Sequence, residues 1–545
     1  MSQGGLLRSA GQVAIGTLMS RVTGFIRTIA LAALLGSTLT NNAYNVANTL
    51  PNMVFELLLG GVLTSVIVPL LVRAERGLEQ FGLDPNLYAQ RLFTLAVVML
   101  TAATVVGVAL SGVLVTMMNI PPSEPHHDTA TLMAMLLLPQ MIFYGIGALA
   151  GAVLNTRESY QAPAWTPVLN NVVVIAVALG MIVLRKSGSA FSTTEVVILC
   201  LGTTLGIVVQ ALALIPAWRK VGFRWKWRWE PSRMGLGELR SLAGWVLGYV
   251  IIGQVGYIVA TNVANEASKT RGFEGAMSQW TYASLLFQLP YGILGVSLLT
   301  AIMPKMSRAA RDHDWPKVKE FLADGTRLTG LGLIPVSIAF WILAVPLTVL
   351  FFNNLRFDGD AARSTGLILA ASSFGLLPYA VSLLQLRVFF AAKDTKTPTL
   401  IMVLIVAVRI ALSLACLALP VQYMTLGLAV ANSVAFLVGA IAGDVVLRRR
   451  FGRLGSGAVV RELAKIAAAA VIGVLLATPV YLWLSGLFSG LNPWSWDGLT
   501  GVPVLSLGKI EIAIVLAAAS AVGLVGFIAA GLVLRLRDLT RLVRR

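Results

Sequence analysis

Residues 8–36 read RSAGQVAIGTLMSRVTGFIRTIALAALLG, an apolar run long enough to cross a bilayer, although two arginines interrupt its middle. A transmembrane helix needs about 20 mostly apolar residues, and runs of this kind recur along all 545 residues of the chain. Hydrophobic residues make up 57% of the sequence and charged residues only 12%, whereas soluble domains carry about 25% charged residues. The sequence therefore predicts an all-α polytopic membrane protein.

Apolar runs follow one another from the N-terminus to the C-terminus. We place fourteen transmembrane helices at residues 8–36, 43–72, 90–118, 130–154, 163–184, 194–218, 239–265, 278–303, 325–352, 364–390, 398–419, 423–447, 463–486 and 510–534. Residues 315–327 can form an interfacial helix that leads into the ninth. No small-residue cleavage site follows a short apolar core near the N-terminus, so we interpret the first run as an uncleaved helix rather than a signal peptide.

The basic residues of the loops predict the orientation of these helices. With the N-terminus inside, the loops and tails on the cytoplasmic side carry 31 of the 42 lysines and arginines. Seven lie on the opposite side: Arg185, Lys186, Lys269, Arg271, Arg356, Arg363 and Lys509. Since cytoplasmic loops of membrane proteins are enriched in Lys and Arg, we predict that both termini are cytoplasmic.

The densest basic loop, residues 219–240, contains the sequence RWKWRW at 224–229. Together with a net charge of +18, alternating basic and aromatic residues can indicate nucleic-acid binding. Trp and Arg next to a transmembrane helix more often anchor it at the headgroup level, close to anionic lipids. We favour the membrane-anchor interpretation, which predicts membrane lipids and not nucleic acid as partners.

Two short patterns of the first half recur about 235 residues later. They are Gly60…Pro69…Arg73-Ala74 against Gly295…Pro304…Arg308-Ala309, and Arg157-Glu158-Ser159…Pro163 against Lys393-Asp394-Thr395…Pro398. A shared offset indicates duplication of a six-helix unit, and because six is even, both copies enter from the same side of the membrane. We therefore predict two pseudo-symmetric six-helix lobes, 1–220 and 221–455, with two extra C-terminal helices in 456–545.

Two arginines lie inside the first predicted helix. Arg21 is near its middle, and Arg27 follows six residues later. An arginine at the bilayer centre costs roughly 2.5–3.5 kcal/mol on insertion scales, so it normally faces a hydrated cavity or a partner. Two interpretations remain open: an anion-binding cavity, which we favour, and a structural ion pair with a carboxylate such as Glu56.

Further polar residues recur at helical spacing in other predicted helices. In the second helix they are Asn41, Asn45, Asn48, Asn52 and Glu56. The asparagines on this helix face predict either interhelical hydrogen bonds or the wall of a hydrated cavity. Because Glu56 lies on the same face, the cavity wall is favoured. The candidates in the second half are the uncharged Gln254, Tyr257, Thr261, Asn265 and Gln288. Arg409, in the middle of the eleventh helix, can contact a lipid phosphate, backbone carbonyls or a distant carboxylate.

The sequence lacks the motifs that several kinds of chemistry require. No G-x-x-x-x-G-K-[ST] motif for phosphate binding occurs, so active transport would draw on an ion gradient, the membrane potential or substrate supply. His126-His127-Asp128 lie in a short Pro-rich loop that offers too few ligands for a metal, and Cys200 and Cys416 lie in apolar runs. We predict no cofactor, no metal and no enzymatic activity.

The first helix carries a motif that is similar to that of a known family. Ser20-Arg21-Val22-Thr23-Gly24-Phe25-Ile26-Arg27 resembles the S-R-x-x-G-x-x-R signature of the MurJ (MviN) lipid II flippases. Asn42-Ala43…Leu50-Pro51-Asn52…Gly61…Pro69 resembles the second helix of that family, and Pro290…Gly292…Leu294-Gly295-Val296…Pro304 its eighth. The resemblance implies the fold of the multidrug/oligosaccharidyl-lipid/polysaccharide exporter superfamily, with a central cavity and a groove on the last two helices for a lipid tail. The arginine-rich residues 535–545 are expected to lie in the cytoplasm, where some actinobacterial relatives continue into a further domain.

The resemblance also implies a function in peptidoglycan synthesis and cell shape. The chain is expected to move lipid II, an undecaprenyl-pyrophosphate-linked disaccharide-peptide, from the cytoplasmic to the outer leaflet of the bacterial inner membrane by alternating access. The candidate substrate-binding residues are Arg21, Arg27, Asn48, Asn52, Glu56, Gln254 and Gln288. Where relatives often carry an arginine and an Asp-Arg pair, this chain has Phe55 and Ser284-Leu285, and Arg409 occupies a helix in which some relatives bind sodium through a carboxylate.

Other functions remain open at this point. The nearest is another lipid-linked oligosaccharide exporter or a multidrug exporter of the same superfamily, although a drug exporter would more naturally line its cavity with acidic and aromatic groups. A different one is a non-transporting membrane scaffold that recruits cell-wall synthesis proteins through its basic loops. The arginines of such a scaffold would tolerate replacement by neutral residues.

Overall fold

The computed structural model describes residues 3–56, 85–185, 191–230, 240–392, 394–452, 456–492, 501–536 and Leu539. In this part the chain is helical, and no β-strand occurs. The helices are α1 (Gln3–Leu35), α2 (Leu39–Glu56), α3 (Pro85–Ala109), α4 (Ser111–Met117), α5 (His127–Leu137), α6 (Gln140–Thr156), α7 (Gln161–Leu184), α8 (Thr193–Leu212), α9 (Ile215–Lys220), α10 (Arg240–Ser268), α11 (Ala276–Pro290), α12 (Val296–Arg311), α13 (Trp315–Phe352), α14 (Gly359–Ser372), α15 (Leu376–Ala391), α16 (Lys396–Ala415), α17 (Val421–Phe451), α18 (Ser456–Ser489) and α19 (Lys509–Val533).

The prediction of an all-α membrane protein is confirmed. Twelve helical segments of the described ranges are long and apolar enough to cross a membrane, and each predicted span overlaps a described helix. The second predicted span continues beyond Glu56, where α2 ends, into residues outside the described ranges. The eighth is interrupted by a π-turn at Tyr291–Gly295, so α11 and α12 are separate elements.

Several helix boundaries follow from local capping groups. The Ser192 side chain accepts a hydrogen bond from the backbone N–H of Glu195, whose carboxylate accepts one from the N–H of Ser192, so α8 starts in a capping box. Asp314 caps α13 by accepting a hydrogen bond from the N–H of Lys317. Because that cap lies before Trp315, the interfacial helix predicted at 315–327 is the first part of one continuous 38-residue helix.

The chain divides into two compact units, Met1–Ile258 and Val259–Arg545. In the first unit, α1 packs along α7, α2 packs on α5, and α7 packs on α8. In the second unit, α13 contacts α14 and α18, and α17 contacts both α15 and α16. The predicted lobe boundaries near 220 and 455 stay predictions.

Matching helix ends in the two units repeat the same backbone hydrogen bond. After α6 the N–H of Ser159 donates to Leu154 O over 2.8 Å, and after α15 the N–H of Asp394 donates to Phe389 O over 2.9 Å. Both pairs are separated by 235 residues (394 − 159 and 389 − 154), one residue from the predicted alignment of Ser159 with Thr395. The other half of that repeat, Gly60 to Ala74, lies outside the described residues.

The last two long helices approach each other through glycine. α18 and α19 pack side by side, and a Cβ placed on Gly473 would lie 2.5 Å from the carbonyl oxygen of Gly523 on the facing helix. Lipid tails are as apolar as leucine, so helices in a membrane associate through close backbone approach rather than through a hydrophobic driving force. The contact at Gly473 therefore leaves no space for a side chain.

We expect Gly473→Ala to destabilise the protein by about 1–3 kcal/mol because the added methyl group meets backbone that cannot move aside. The measurement is thermal unfolding of the purified protein in detergent. Gly180→Ala in α7 is the matched control, since a Cβ there has no atom within 4 Å and Ala favours a helix over Gly by up to about 1 kcal/mol. An equal unfolding midpoint for the two variants would contradict the packing argument.

Candidate functional site

Both arginines of the first helix lie on α1, which is continuous from Gln3 to Leu35. The Arg21 and Arg27 side chains are half-buried. Within the described ranges, neither of them forms an ion pair with a carboxylate. The alternative of a structural pair with Glu56 is therefore not found there, and α1 carries its two positive charges into the apolar part of the first unit.

A polar side chain of α7 holds the turn of α1 that carries Arg21. Asn171 Nδ2 donates to the carbonyl oxygen of Ser20 and to Thr23 Oγ1, both over 3.0 Å. Gly24 lies next to this contact, and a Cβ there would lie 3.4 Å from Asn171 Nδ2, at van der Waals distance. The motif S-R-x-x-G thus lies on a part of α1 that α7 contacts, with Asn171 bonded to the Ser20 carbonyl and next to Gly24.

Arg27 lies in a different polar environment. Tyr44 on α2 and Tyr144 on α6 lie close enough for the charge of Arg27 to act on their hydroxyl groups, and the Tyr44 hydroxyl is hydrogen bonded to Thr203 Oγ1 on α8 over 3.1 Å. Arg27 Nε is buried and has no hydrogen-bond partner in the described part of the chain. A buried donor without a partner destabilises the protein. An acceptor on a bound ligand would remove that cost.

The asparagine face of α2 goes from a buried residue, Asn41, to the half-buried Asn45, Asn48 and Asn52. Asn41 is buried and donates to Gly36 O, and Asn45 Nδ2 donates to Asn41 Oδ1 over 2.9 Å. Asn52 Nδ2 donates to the carbonyl oxygen of Asn48 over 2.8 Å, and both side chains are half-buried. Asn41 and Asn45 thus bond to each other and to the turn before α2, whereas Asn52, within the described ranges, bonds only to the backbone of its own helix.

Glu56, at the end of α2, is in contact with a residue 198 positions away in the chain. Gln254 Nε2, on α10, donates to Glu56 Oε2 over 2.5 Å. Glu56 is exposed and Gln254 is half-buried. The structure thus brings together two of the predicted site residues, an amide that can donate and accept hydrogen bonds and a carboxylate that accepts them.

The candidates of the second unit are uncharged except for one. Gln288 is exposed on α11, two residues before Pro290, after which the helix widens into the π-turn. Thr261 and Asn265 are buried in α10. Arg409 is half-buried in the middle of α16. Pro290 lacks a backbone N–H, and π-turns often occur at functional sites.

Four residues near the arginines were not predicted from the sequence. Asn171 bonds to the turn of α1 that carries Arg21, Tyr44 and Tyr144 lie near Arg27, and Thr203 bonds to Tyr44. The signal that could have identified one of them is the pair Asn170-Asn171 in the middle of an apolar run, because intramembrane polar side chains usually have a specific partner. Among the described residues, no group of three or more His, Cys, Asp or Glu side chains is placed to hold a metal ion.

The fold is similar to that of several solved transporters. An inward-facing multidrug resistance MATE family transporter of the MOP superfamily matches with a TM-score of 0.60 at 15% identity, over 81% of this chain and 99% of that chain. A structure described as lipid II flippase MurJ in an inward closed conformation matches with a TM-score of 0.72 at 18% identity, over 96% of this chain and 98% of that chain. The chain therefore has the fold of a MOP-superfamily transporter.

Sequence comparisons identify the family within that class. The family model described as "Lipid II flippase MurJ" matches residues 31–495. The lipid II flippase MurJ of Burkholderia cenocepacia is 30% identical over 410 residues, which cover 72% of this chain and 75% of that protein. The probable lipid II flippase MurJ of Rhizobium meliloti is 27% identical over 512 residues, 91% of this chain and 90% of that protein. The chain belongs to the MurJ family of lipid II flippases.

We expect Asn171→Ala to destabilise the protein by about 0.5–1.5 kcal/mol, because interhelical hydrogen bonds in membranes are worth about that much. The measurement is again the thermal unfolding midpoint in detergent. Asn170→Ala is the matched control: it removes the same number of atoms from the same helix, but Asn170 Oδ1 is buried without a hydrogen-bond partner among the described residues. If Asn170→Ala lowered the unfolding midpoint as much as Asn171→Ala, the result would argue against the proposed contact between the helices.

Proposed function

We propose that this chain moves lipid II across the bacterial inner membrane, from the cytoplasmic to the outer leaflet, and that Arg21 and Arg27 bind the pyrophosphate of its head. Membership of the MurJ family supports the substrate and the transport function. The observation that carries the site is the pair of half-buried arginines on α1 without an ion pair in the described ranges.

Pyrophosphate is the chemical partner that fits these arginines. A guanidinium group presents its N–H donors in a planar fork that matches phosphate oxygens, and hydrogen bonds between two charged groups are the strongest ones. Arg27 Nε, buried without a partner in the described part, is one donor that such an anion would satisfy. The hydrogen bond between Tyr44 and Thr203 fixes the positions of these two side chains near Arg27.

The sugar and peptide parts of the head need hydrogen bonds rather than charge. Asn48, Asn52, Glu56, Gln254 and Gln288 are assigned to this role. Gln254 donates a hydrogen bond to the Glu56 carboxylate, and among the described residues Glu56 forms no ion pair with either arginine. Arg409 is assigned to a contact with lipid or a coupling partner.

The energy for transport does not require a nucleotide-binding motif. With both termini in the cytoplasm, the anionic head moves outward, and a potential that is negative inside favours this by roughly 2.3 kcal/mol per charge per 100 mV. Two charges would gain about 4–5 kcal/mol on the same scale. In this proposal the substrate cavity opens alternately to the two sides of the membrane. The basic cytoplasmic loops are in addition available to bind cell-wall synthesis proteins.

We expect Arg21→Ala to reduce flipping by about 10- to 100-fold, because a hydrogen bond to a charged group contributes about 1.5–3 kcal/mol. The same reduction is expected for Arg27→Ala, whereas Arg21→Lys should retain part of the activity because it keeps the charge. The measurement is the external accessibility of labelled lipid II in cells in which the variant replaces the normal protein.

Arg311→Ala is the matched control for these variants, since that arginine is exposed at the end of α12. Membrane levels of all variants are compared by immunoblot. If lipid II remains accessible in cells that carry both alanine substitutions on α1, the two arginines do not bind the head.

A further inference from the structure

The basic and aromatic segment Phe223–Glu230, FRWKWRWE, is not a free loop. It follows α9, has no regular secondary structure, and is attached along α3. Gln90 Nε2 donates to the carbonyl oxygen of Arg224 over 2.8 Å, and the backbone N–H of Arg228 donates to Thr94 Oγ1 over 3.0 Å. Two side chains of α3, one helical turn apart, thus hold the backbone of this segment, which we call the strap.

Both ends of the strap are fixed as well. Phe223 is buried against Phe93 and Trp218, with ring centroids 5.2 Å and 5.9 Å away. At the other end Glu230 forms an ion pair of 2.5 Å with Arg91, whose side chain is only 6% exposed. The strap is therefore anchored by an aromatic cluster at its start and by a nearly buried charge pair at its end.

The attachment points set the depth of the strap in the membrane. Gln90 and Thr94 belong to the membrane-spanning helix Asn86–Ala109, whose apolar run we place from residue 90 onward. At 1.5 Å per residue, Thr94 lies about 6 Å further along the helix axis than Gln90. The headgroup layer on each side of a bilayer is roughly 5–7 Å thick. With the apolar run starting at residue 90, this attachment predicts that the strap lies where headgroups meet the hydrocarbon region.

The side chains that the strap presents suit that layer. Arg224, Lys226 and Arg228 alternate with three tryptophans in the sequence, and all six are exposed. Trp227 is 62% exposed and Trp229 is 53% exposed, although neighbouring backbone is held in place. Tryptophans concentrate at the membrane interface, and basic residues near the cytoplasmic surface attract anionic lipids.

We propose that the strap is a binding site for the headgroups of anionic phospholipids on the cytoplasmic side of the membrane. Arg224, Lys226 and Arg228 pair with the headgroup phosphates, while Trp227 and Trp229 insert their rings between the lipids. Nucleic acid has a similar charge, but it stays in water, whereas the contact of the strap with Thr94 holds it at the edge of the apolar layer. The proposal does not depend on which substrate the protein transports.

The first test measures the binding of phosphatidylglycerol and of phosphatidylcholine with the same acyl chains to the purified full chain, by native mass spectrometry. We expect a preference for phosphatidylglycerol that the triple variant Arg224→Gln, Lys226→Gln, Arg228→Gln reduces by about 100-fold, since each cation near an anionic surface contributes about fivefold. The matched control is Lys305→Gln, Arg311→Gln, Arg449→Gln, which removes three exposed cations elsewhere and should retain the preference.

Two outcomes of this test would overturn the proposal. One is an unchanged preference in the strap variant, and the other is an equal loss in both triple variants, which would mean that net charge rather than the strap attracts the lipid. Tighter binding of a single-stranded RNA oligonucleotide than of phosphatidylglycerol to the normal chain, lost in the strap variant, would also overturn it in favour of nucleic acid.

A second test measures depth and does not rely on removing charge. Cys200 and Cys416 are buried, so a nitroxide label reacts at the new thiol of Trp227→Cys. In vesicles containing phosphatidylglycerol, we expect this label to be several-fold less accessible to a water-soluble nickel chelate than a label at Ser123→Cys, an exposed turn position. Equal accessibility at the two positions would place the strap in water and refute the membrane contact.

Discussion

The structure depends on how two positive charges are accommodated inside a membrane helix. Arg21 and Arg27 are half-buried on α1, and in the described ranges no carboxylate pairs with them. The groups near Arg27 are the hydroxyls of Tyr44 and Tyr144, which can interact with a guanidinium but do not cancel its charge. An intramembrane arginine is costly, so this arrangement is expected where hydration or an anionic ligand compensates for the missing counter-charge.

The position of those charges is set by packing between helices rather than by α1 alone. A Cβ on Gly16 would meet the Trp165 ring at 2.7 Å, and Asn171 bonds to the turn before Gly24. Small residues permit this approach, and polar groups fix it, because the lipid gives helices no hydrophobic reason to associate. The same principle, with Gly473 against Gly523, joins the last two long helices.

The sequence predicted the helices because a span has a length and an apolarity that composition alone reveals. It did not predict the pair of Glu56 and Gln254, since no periodicity connects residues 198 positions apart. It also gave Asn41 and Asn48 the same role, although Asn41 is buried and its side-chain amide donates to the backbone carbonyl of Gly36. Periodicity identifies which residues share a face; which of them remain available for a ligand is decided by the neighbouring helices.

The attachment of α1 to α7 also bears on how a membrane potential can act. If the arginines moved across the field together with the head, their positive charges would offset its negative ones, and the potential would do little work. Asn171 ties the turn that carries Arg21 to a helix of the same compact unit. On the proposal that Arg21 binds the head, an arginine that stays in place while the head leaves would let the charge of the substrate alone cross the field, for which each 100 mV contributes roughly 2.3 kcal/mol per charge.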